Sequence, residues 1–214
     1  VLGRSGSLVR MCEHTNVPYE HINDFPSIAQ ICSAFGAQNG NFAPPVAVIN
    51  DKAVSQSTAA CLFVGKRCGL TAGMDEDTAP QLLMDIIDTF EGGLGGAQGK
   101  GGAALKAFLE GPRWAALAGN VDRSIQGPFY FGETMTCVDF FLANVMSWFK
   151  ANLLDRLEAE KGVKALAPFS KIVGLYEAMS ALPAFKTNKY NLLVSTKPDG
   201  SNFFASDEVF ANYK

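Results

Sequence analysis

Apolar and polar positions along the 214-residue chain change rhythm about a third of the way in. Leu8, Val9, Cys12 and Thr15 recur at helical spacing, and Asn16 stands where a left-handed cap would close that helix. Residues 17–22, Val-Pro-Tyr-Glu-His-Ile, alternate like a strand. A looser helical stretch covers residues 26–35 and runs into a polar, glycine-containing loop through Asn41. Pro44 and Pro45 then precede the apolar run Val46, Ala47, Val48 and Ile49. Asn50, Asp51 and Lys52 read as a hairpin turn before a short strand at Ala53 and Val54. Ser55, Gln56 and Ser57 open a helix that carries Ala60, Cys61, Val64 and Cys68 up to Gly69. This order predicts a small α/β domain over residues 1–72.

Beyond it the apolar spacing is helical throughout. Thr78, Ala79, Pro80 and Gln81 read as a capping box with proline in the first turn, ahead of Leu82, Leu83, Ile86, Ile87 and Phe90. Residues 92–102 hold seven glycines in eleven positions, which predicts a flexible insertion between two helices. No strand precedes that run and no Gly-Lys-Ser/Thr ends it, so a phosphate-binding loop is disfavoured. A second helix is expected over residues 103–109, extending past Pro112 towards Leu117. A third starts at Thr136, with Asp139 completing a capping box and Phe141, Val145, Trp148 and Phe149 on its apolar side. A fourth carries Ile172, Val173, Tyr176 and Met179. The small polar residues 71–77 read as a linker, leaving residues 78–214 as an all-helical domain.

Composition narrows the function classes. Lys and Arg number 18 against 21 Asp and Glu, a net charge of −3, so no broad positive surface exists to hold a nucleic-acid backbone. With 48% hydrophobic and 18% charged residues the chain can bury a core. No apolar run approaches the ~20 residues of a membrane helix, which predicts a soluble protein with no membrane span. Cys12, Cys32, Cys61, Cys68 and Cys137 include no Cys-x-x-Cys pair, and His14 and His21 lie near no cysteine cluster, so no metal site is expected. Five thiols fit the cytoplasm or another reducing compartment, most of them packed as small apolar side chains, with one reactive thiol as the alternative. The first residue is Val1 and not Met, which leaves processing of an upstream segment, including organelle import, open.

Candidate chemistry concentrates between Pro44 and Ser57. Proline cannot donate to a sheet ladder, and a cis bond before Pro45 in a tight turn accommodates the pair at the start of a strand. Eleven residues after Pro45, Gln56 and Ser57 lie at a helix N-terminus, whose free N–H groups and dipole favour an anion such as a carboxylate. The alternative is that Ser55 or Ser57 merely caps the helix. In the tail, Phe203, Phe204, Phe210 and Tyr213 either line a hydrophobic substrate site or dock the C-terminus on the body or onto another protein.

The segment from Ala43-Pro44-Pro45-Val46 through Asp51-Lys52 to Gln56-Ser57-Thr58-Ala59 resembles the cis-Pro-Val strand, turn and Gln-Ser helix start of the cytosolic glutathione S-transferases. Asn16-Val17-Pro18-Tyr19-Glu20 is similar to that family's start of a second strand. Gly132, Thr136 and Asp139 resemble its capping box, and Ala181-Leu182-Pro183-Ala184-Phe185 a stretch late in its helical domain. The pattern is closest to the sigma, alpha and pi-like group. The resemblance implies a thioredoxin-like domain followed by an all-α helical bundle, usually as a homodimer. It implies glutathione as co-substrate, held by Arg4, Pro44, Pro45, Val46, Gln56 and Ser57, with the γ-glutamyl carboxylate on Gln56 and Ser57. The implied activity is attack of the glutathione thiolate on a small hydrophobic electrophile, or reduction of peroxides. The other implied role is a non-catalytic subunit of that fold within a larger protein assembly. The sequence departs from the family pattern in three places. No tyrosine stands near the first helix start, leaving Ser5, and behind it Ser7, as the hydroxyl that would stabilise the thiolate, the alternative being that both are turn and N-cap residues of the first helix. Pro44 has no N–H to give the tripeptide. No Lys or Arg lies between Asp24 and Pro45, where Ala29 occupies the position of a family lysine, leaving Arg4 or Arg10 to compensate, the alternative for Arg10 being the solvent face of the first helix.

Overall fold

The structure, a computed structural model, describes residues 3–186 and 207–213. A 3-10 turn at Gly3–Ser5 leads into α1 (Gly6–Thr15), closed by Asn16 at φ 55° with its N–H on the Cys12 carbonyl. α2 (Phe25–Ile31) is capped by Asp24, whose carboxylate accepts the Ser27 N–H at 2.9 Å. β1 (Val46–Ile49) and β2 (Lys52–Ser55) form an antiparallel hairpin in the register Val46 to Ser55 and Ile49 to Lys52. Asn50 and Asp51 both take positive φ, 50° and 63°, as a two-residue turn matched to strand twist requires. α3 (Ser57–Arg67) follows directly. The expected strand over residues 17–22 does not form. Among the described residues the sheet is β1 and β2 alone, so the alternating segment has no neighbour with which to close a ladder.

Turns over residues 68–78 lead to the helices. α4 (Ala79–Ile86) passes through a π-helical segment, Ile87–Gly95, into α5 (Gly96–Gly99). Then come α6 (Gly102–Glu110), α7 (Pro112–Ser124) and α8 (Cys137–Phe149). α8 continues through a π-helical turn, Lys150–Leu154, into α9 (Asp155–Lys161). α10 (Ser170–Ser180), α11 (Pro183–Lys186) and α12 (Asp207–Ala211) complete the described chain. The fold is thus a thioredoxin-like α/β part followed by a helical bundle, with no strand among the described residues after β2. Among those residues, no helix is long and apolar enough to cross a membrane.

Two local expectations are corrected. The glycine-rich residues 92–99 are helical, not a flexible insertion. Phe90, Leu94 and Ala97 bury one side of this helix. On it, a Cβ at Gly93 would lie 2.8 Å from the Phe108 ring and 3.2 Å from Leu117. Gly93 permits this close helix packing, and burial along the segment outweighs the backbone entropy of its glycines. Thr78 makes no side-chain cap. Asp75 does that work, its carboxylate accepting the N–H groups of Asp77 and Thr78 at 2.9 and 3.3 Å.

α8 is the centre of the bundle, with Val138, Phe140, Leu142, Ala143 and Met146 fully enclosed. Its start is the expected capping box of Thr136 and Asp139. The buried Asp139 carboxylate accepts the Thr136 N–H at 2.6 Å, the Thr136 hydroxyl at 2.8 Å and the Tyr130 N–H at 2.7 Å. Burial nevertheless pushes its pKa up from 3.8 to about 6, the three hydrogen bonds offsetting only part of the desolvation. α12 seats the C-terminus on the body, with Phe210 beneath the Arg156 guanidinium at 3.9 Å and Tyr213 buried. That favours the docking role for Phe210 and Tyr213, whereas Phe203 and Phe204 lie outside the described residues.

Thr136→Ala is expected to lower stability by about 0.5–2 kcal/mol. Asp139→Ala leaves two buried N–H groups unpaired and should remove about 2–5 kcal/mol, both read from urea midpoints. Between pH 4 and 6 the folded protein retains a proton on Asp139 that the unfolded chain has released. The group's contribution is therefore full below about pH 4 and lost as pH rises through 6. The stability advantage of the parent chain over Asp139→Asn should accordingly shrink by up to about 3 kcal/mol from pH 4 to pH 7.

Candidate functional site

The hairpin register decides which predicted site residues meet. Because Val46 pairs with Ser55, Pro45 and Gln56 lie side by side at the open end of the hairpin, where α3 begins. The Pro44–Pro45 bond is cis. Pro45 is buried and Pro44 exposed. Gln56 is exposed and adopts φ 70° and ψ 125°, a conformation rare for a residue with a side chain. Its carbonyl accepts the Ala60 N–H at 2.8 Å, so it is the N-cap residue of α3, yet its side chain caps nothing. Neither Ser55 nor Ser57 takes that role, and Ser57 is itself buried in the first turn. The first N–H groups of an eleven-residue helix thus open beside an exposed amide side chain.

The other predicted residues are held elsewhere. Arg4 is half-exposed and its guanidinium is ion-paired to Glu91 in the π-helical segment after α4. Ser5 precedes α1 without capping it. Ser7 lies inside α1, fully buried, and its hydroxyl finds no hydrogen-bond partner among the described residues. Arg10 is not on the solvent face. It is buried, donates to the Asn144 side-chain oxygen at 2.8 Å and lies 4.3 Å from the centre of the Phe185 ring. Desolvation lowers its pKa to about 10, which leaves it charged at neutral pH. Asn144 in turn donates to the Gly3 carbonyl at 3.0 Å, closing a buried polar link between α1 and α8. Sequence reasoning missed this link, and its one local signal is a polar Asn in an otherwise apolar helix. A cavity of about 330 Å³ opens between α8, α9 and α10, lined in part by Met146, Leu154, Leu166 and Tyr176. It contains none of the predicted site residues.

The residues present fit part of a glutathione site. An uncapped helix start suits a carboxylate, and Gln56 can exchange hydrogen bonds with a neighbouring polar group. Pro44 offers no N–H to a peptide backbone, and Arg4 is already neutralised by Glu91.

The prostaglandin synthase D of Nilaparvata lugens superposes with a TM-score of 0.63 at 17% identity, covering 90% of this chain and 94% of that one. A monomeric glutathione S-transferase of the hookworm Necator americanus gives 0.63 at 20% identity, with 90% and 93% covered. The chain has the glutathione-transferase fold. A glutathione transferase homologue from Sulfitobacter, solved with bound glutathione, shares that fold at a TM-score of 0.59 and 20% identity, covering 89% and 94%. No protein-family model matches the chain, and no curated protein matches it. Within the transferase fold, the two arms of the candidate site are thus the hairpin end and the α3 start.

Gln56→Gly should relieve the unfavourable backbone conformation and raise stability by about 1 kcal/mol. Gln56→Ala retains that conformation and should leave the urea midpoint nearly unchanged, which makes it the clean probe of binding.

Proposed function

We propose that the chain binds glutathione at the start of α3 and belongs functionally with the glutathione transferases. The observation that carries this reading is Gln56, held at positive φ and exposed beside uncapped helix N–H groups. A disfavoured backbone conformation that leaves a helix start open is the kind of local strain retained for a ligand. In this reading the γ-glutamyl carboxylate accepts from the first N–H groups of α3, and Gln56 and Ser57 hold the same end. The cysteinyl part runs past Pro44, Pro45 and Val46, with Arg4 near the opposite end. The α/β unit, residues 1–72, carries glutathione, and the helical unit, residues 78–214, carries an apolar electrophile, in a homodimer. Ser5 is the hydroxyl assigned to stabilise the thiolate, which then conjugates a small hydrophobic electrophile or reduces a peroxide. Lowering the thiol pKa raises the fraction of the attacking species at neutral pH.

A second reading, a non-catalytic subunit of this fold in a larger assembly, is favoured by the same chain's missing contacts. Pro44 lacks the N–H, and Arg4 is engaged by Glu91. Losing one neutral and one charge-assisted hydrogen bond removes roughly 2–4 kcal/mol, or about 30- to 1000-fold in affinity.

Calorimetric titration of the full chain with glutathione should therefore give weak binding that Gln56→Ala abolishes. Ordinary affinity that survives Gln56→Ala would overturn the site. Binding with no conjugation of an activated aryl halide, and no loss of peroxide, would favour the second reading.

A further inference from the structure

α1 and α3 meet over a pair of thiols that the glutathione site does not use. Cys12 lies in the second half of α1, and Cys68 is the C-terminal cap of α3. Their sulfur atoms are 3.9 Å apart although the residues are 56 positions apart in sequence. Cys12 is buried and held in place, its carbonyl accepting the N–H groups of Asn16 and Val17. Cys68 is partly exposed, in the turn between Arg67 and Gly69, both of which are exposed. The remaining thiols are placed differently. Cys61 is fully buried and donates to the Cys137 carbonyl at 3.3 Å, while the Cys137 sulfur lies 3.8 Å from the Met74 sulfur. Cys32 is buried just after α2.

We propose that Cys12 and Cys68 are a redox pair that closes into an intramolecular disulfide on meeting a hydroperoxide and reopens with a dithiol reductant. This does not rest on glutathione binding. Bond formation needs the sulfurs to close to ~2.05 Å, and Cys68 can supply that movement from its turn, next to Gly69 at φ 70°.

The two thiols differ in the way such a pair needs. A hydrogen bond shared between the two sulfurs, a second from Thr15 and the positive charge of Arg67 hold the Cys68 thiol below its ordinary value, against burial. Arg67 also offsets the partial negative charge at the end of α3. The Cys12 thiol is pushed up by the same hydrogen bond and by burial. Cys68, the more exposed of the two, is thus the attacking thiolate, and Cys12, buried behind it, the resolving thiol. With hydrogen peroxide, the Cys68 sulfur attacks one oxygen, the O–O bond breaks, and hydroxide leaves. Cys68 is oxidised by two electrons to a sulfenic acid while the peroxide is reduced. Cys12 then attacks the Cys68 sulfur, the S–O bond breaks, and the departing hydroxide takes the Cys12 proton as water. Reduction runs by two thiol–disulfide exchanges that leave the reductant as a disulfide.

The test is treatment of the full chain with hydrogen peroxide, trapping of free thiols under denaturing conditions, and peptide mapping by mass. The expected product is a peptide joining Cys12 to Cys68, two hydrogens lighter than the separate peptides and restored by dithiothreitol. Cys68→Ser should lose the link and Cys32→Ser should retain it. Without peroxide, alkylation of the native chain at neutral pH should label Cys68 about ten-fold or more faster than Cys32, a readout that needs no variant. A sulfinic acid at Cys68 with Cys12 still free, a Cys61–Cys137 link in its place, or equal labelling of Cys68 and Cys32 would overturn the proposal.

Discussion

A helix enclosed on every side must find partners for its first N–H groups and for every polar side chain it carries into the interior. α8 meets that demand at two points. At its start, the Asp139 carboxylate takes the Thr136 N–H and hydroxyl together with the Tyr130 N–H of the preceding segment. Two turns into the helix, Asn144 accepts from Arg10 and donates to the Gly3 carbonyl. The first set fixes where the helix begins. The second fastens the α/β part of the chain to it, and both depend on groups that are strongly unfavourable to bury unpaired.

That fastening explains how a hairpin of two strands holds its place. α3 approaches α8 so closely that a Cβ on Gly65 would come 2.5 Å from the Cys137 Cβ. α1 comes just as near, since a Cβ on Gly6 would overlap the Asn144 side chain at 2.0 Å. With α1 and α3 seated against α8, the start of α3 is a fixed point, and the hairpin rests on α3. The candidate site therefore inherits its rigidity from the helical bundle more than from its own small sheet. The Cys12–Cys68 pair belongs to the same seating, because it spans the contact between α1 and α3.

The local chemistry of the site and its supporting shell pull in different directions. The α3 start offers unpaired donors to an anion, while Pro44 withholds one and Glu91 occupies Arg4. Arg10, the other cation near the beginning of the chain, is spent on the α1–α8 link and the Phe185 ring. The two cations near the start of the chain are thus engaged by the fold, and the unpaired donors that the site offers an anion lie at one helix terminus.

What was legible in the sequence is what neighbouring residues decide among themselves. Asn16 as a left-handed cap, the Asn50–Asp51 turn, the Thr136–Asp139 capping box and the Pro45-to-Gln56 spacing each follow from φ preference, side-chain reach or strand register over a few residues. The Gln56–Ser57 half of the site was readable for that reason, although the empty cap at Gln56 was not. The rest depended on distant partners. Residues 17–22 alternate like a strand but have no strand beside them, and the helix through 92–99 packs Gly93 where Phe108 and Leu117 leave no room for a side chain. Arg10 on an amphipathic helix reads as a surface residue until Asn144, 134 positions away, meets it in the interior. Cys12 and Cys68 become a pair only when α1 and α3 pack together. Periodicity and capping are short-range and survive in the sequence, whereas burial and the pairing of polar groups are fixed by which segments the folded chain brings into contact.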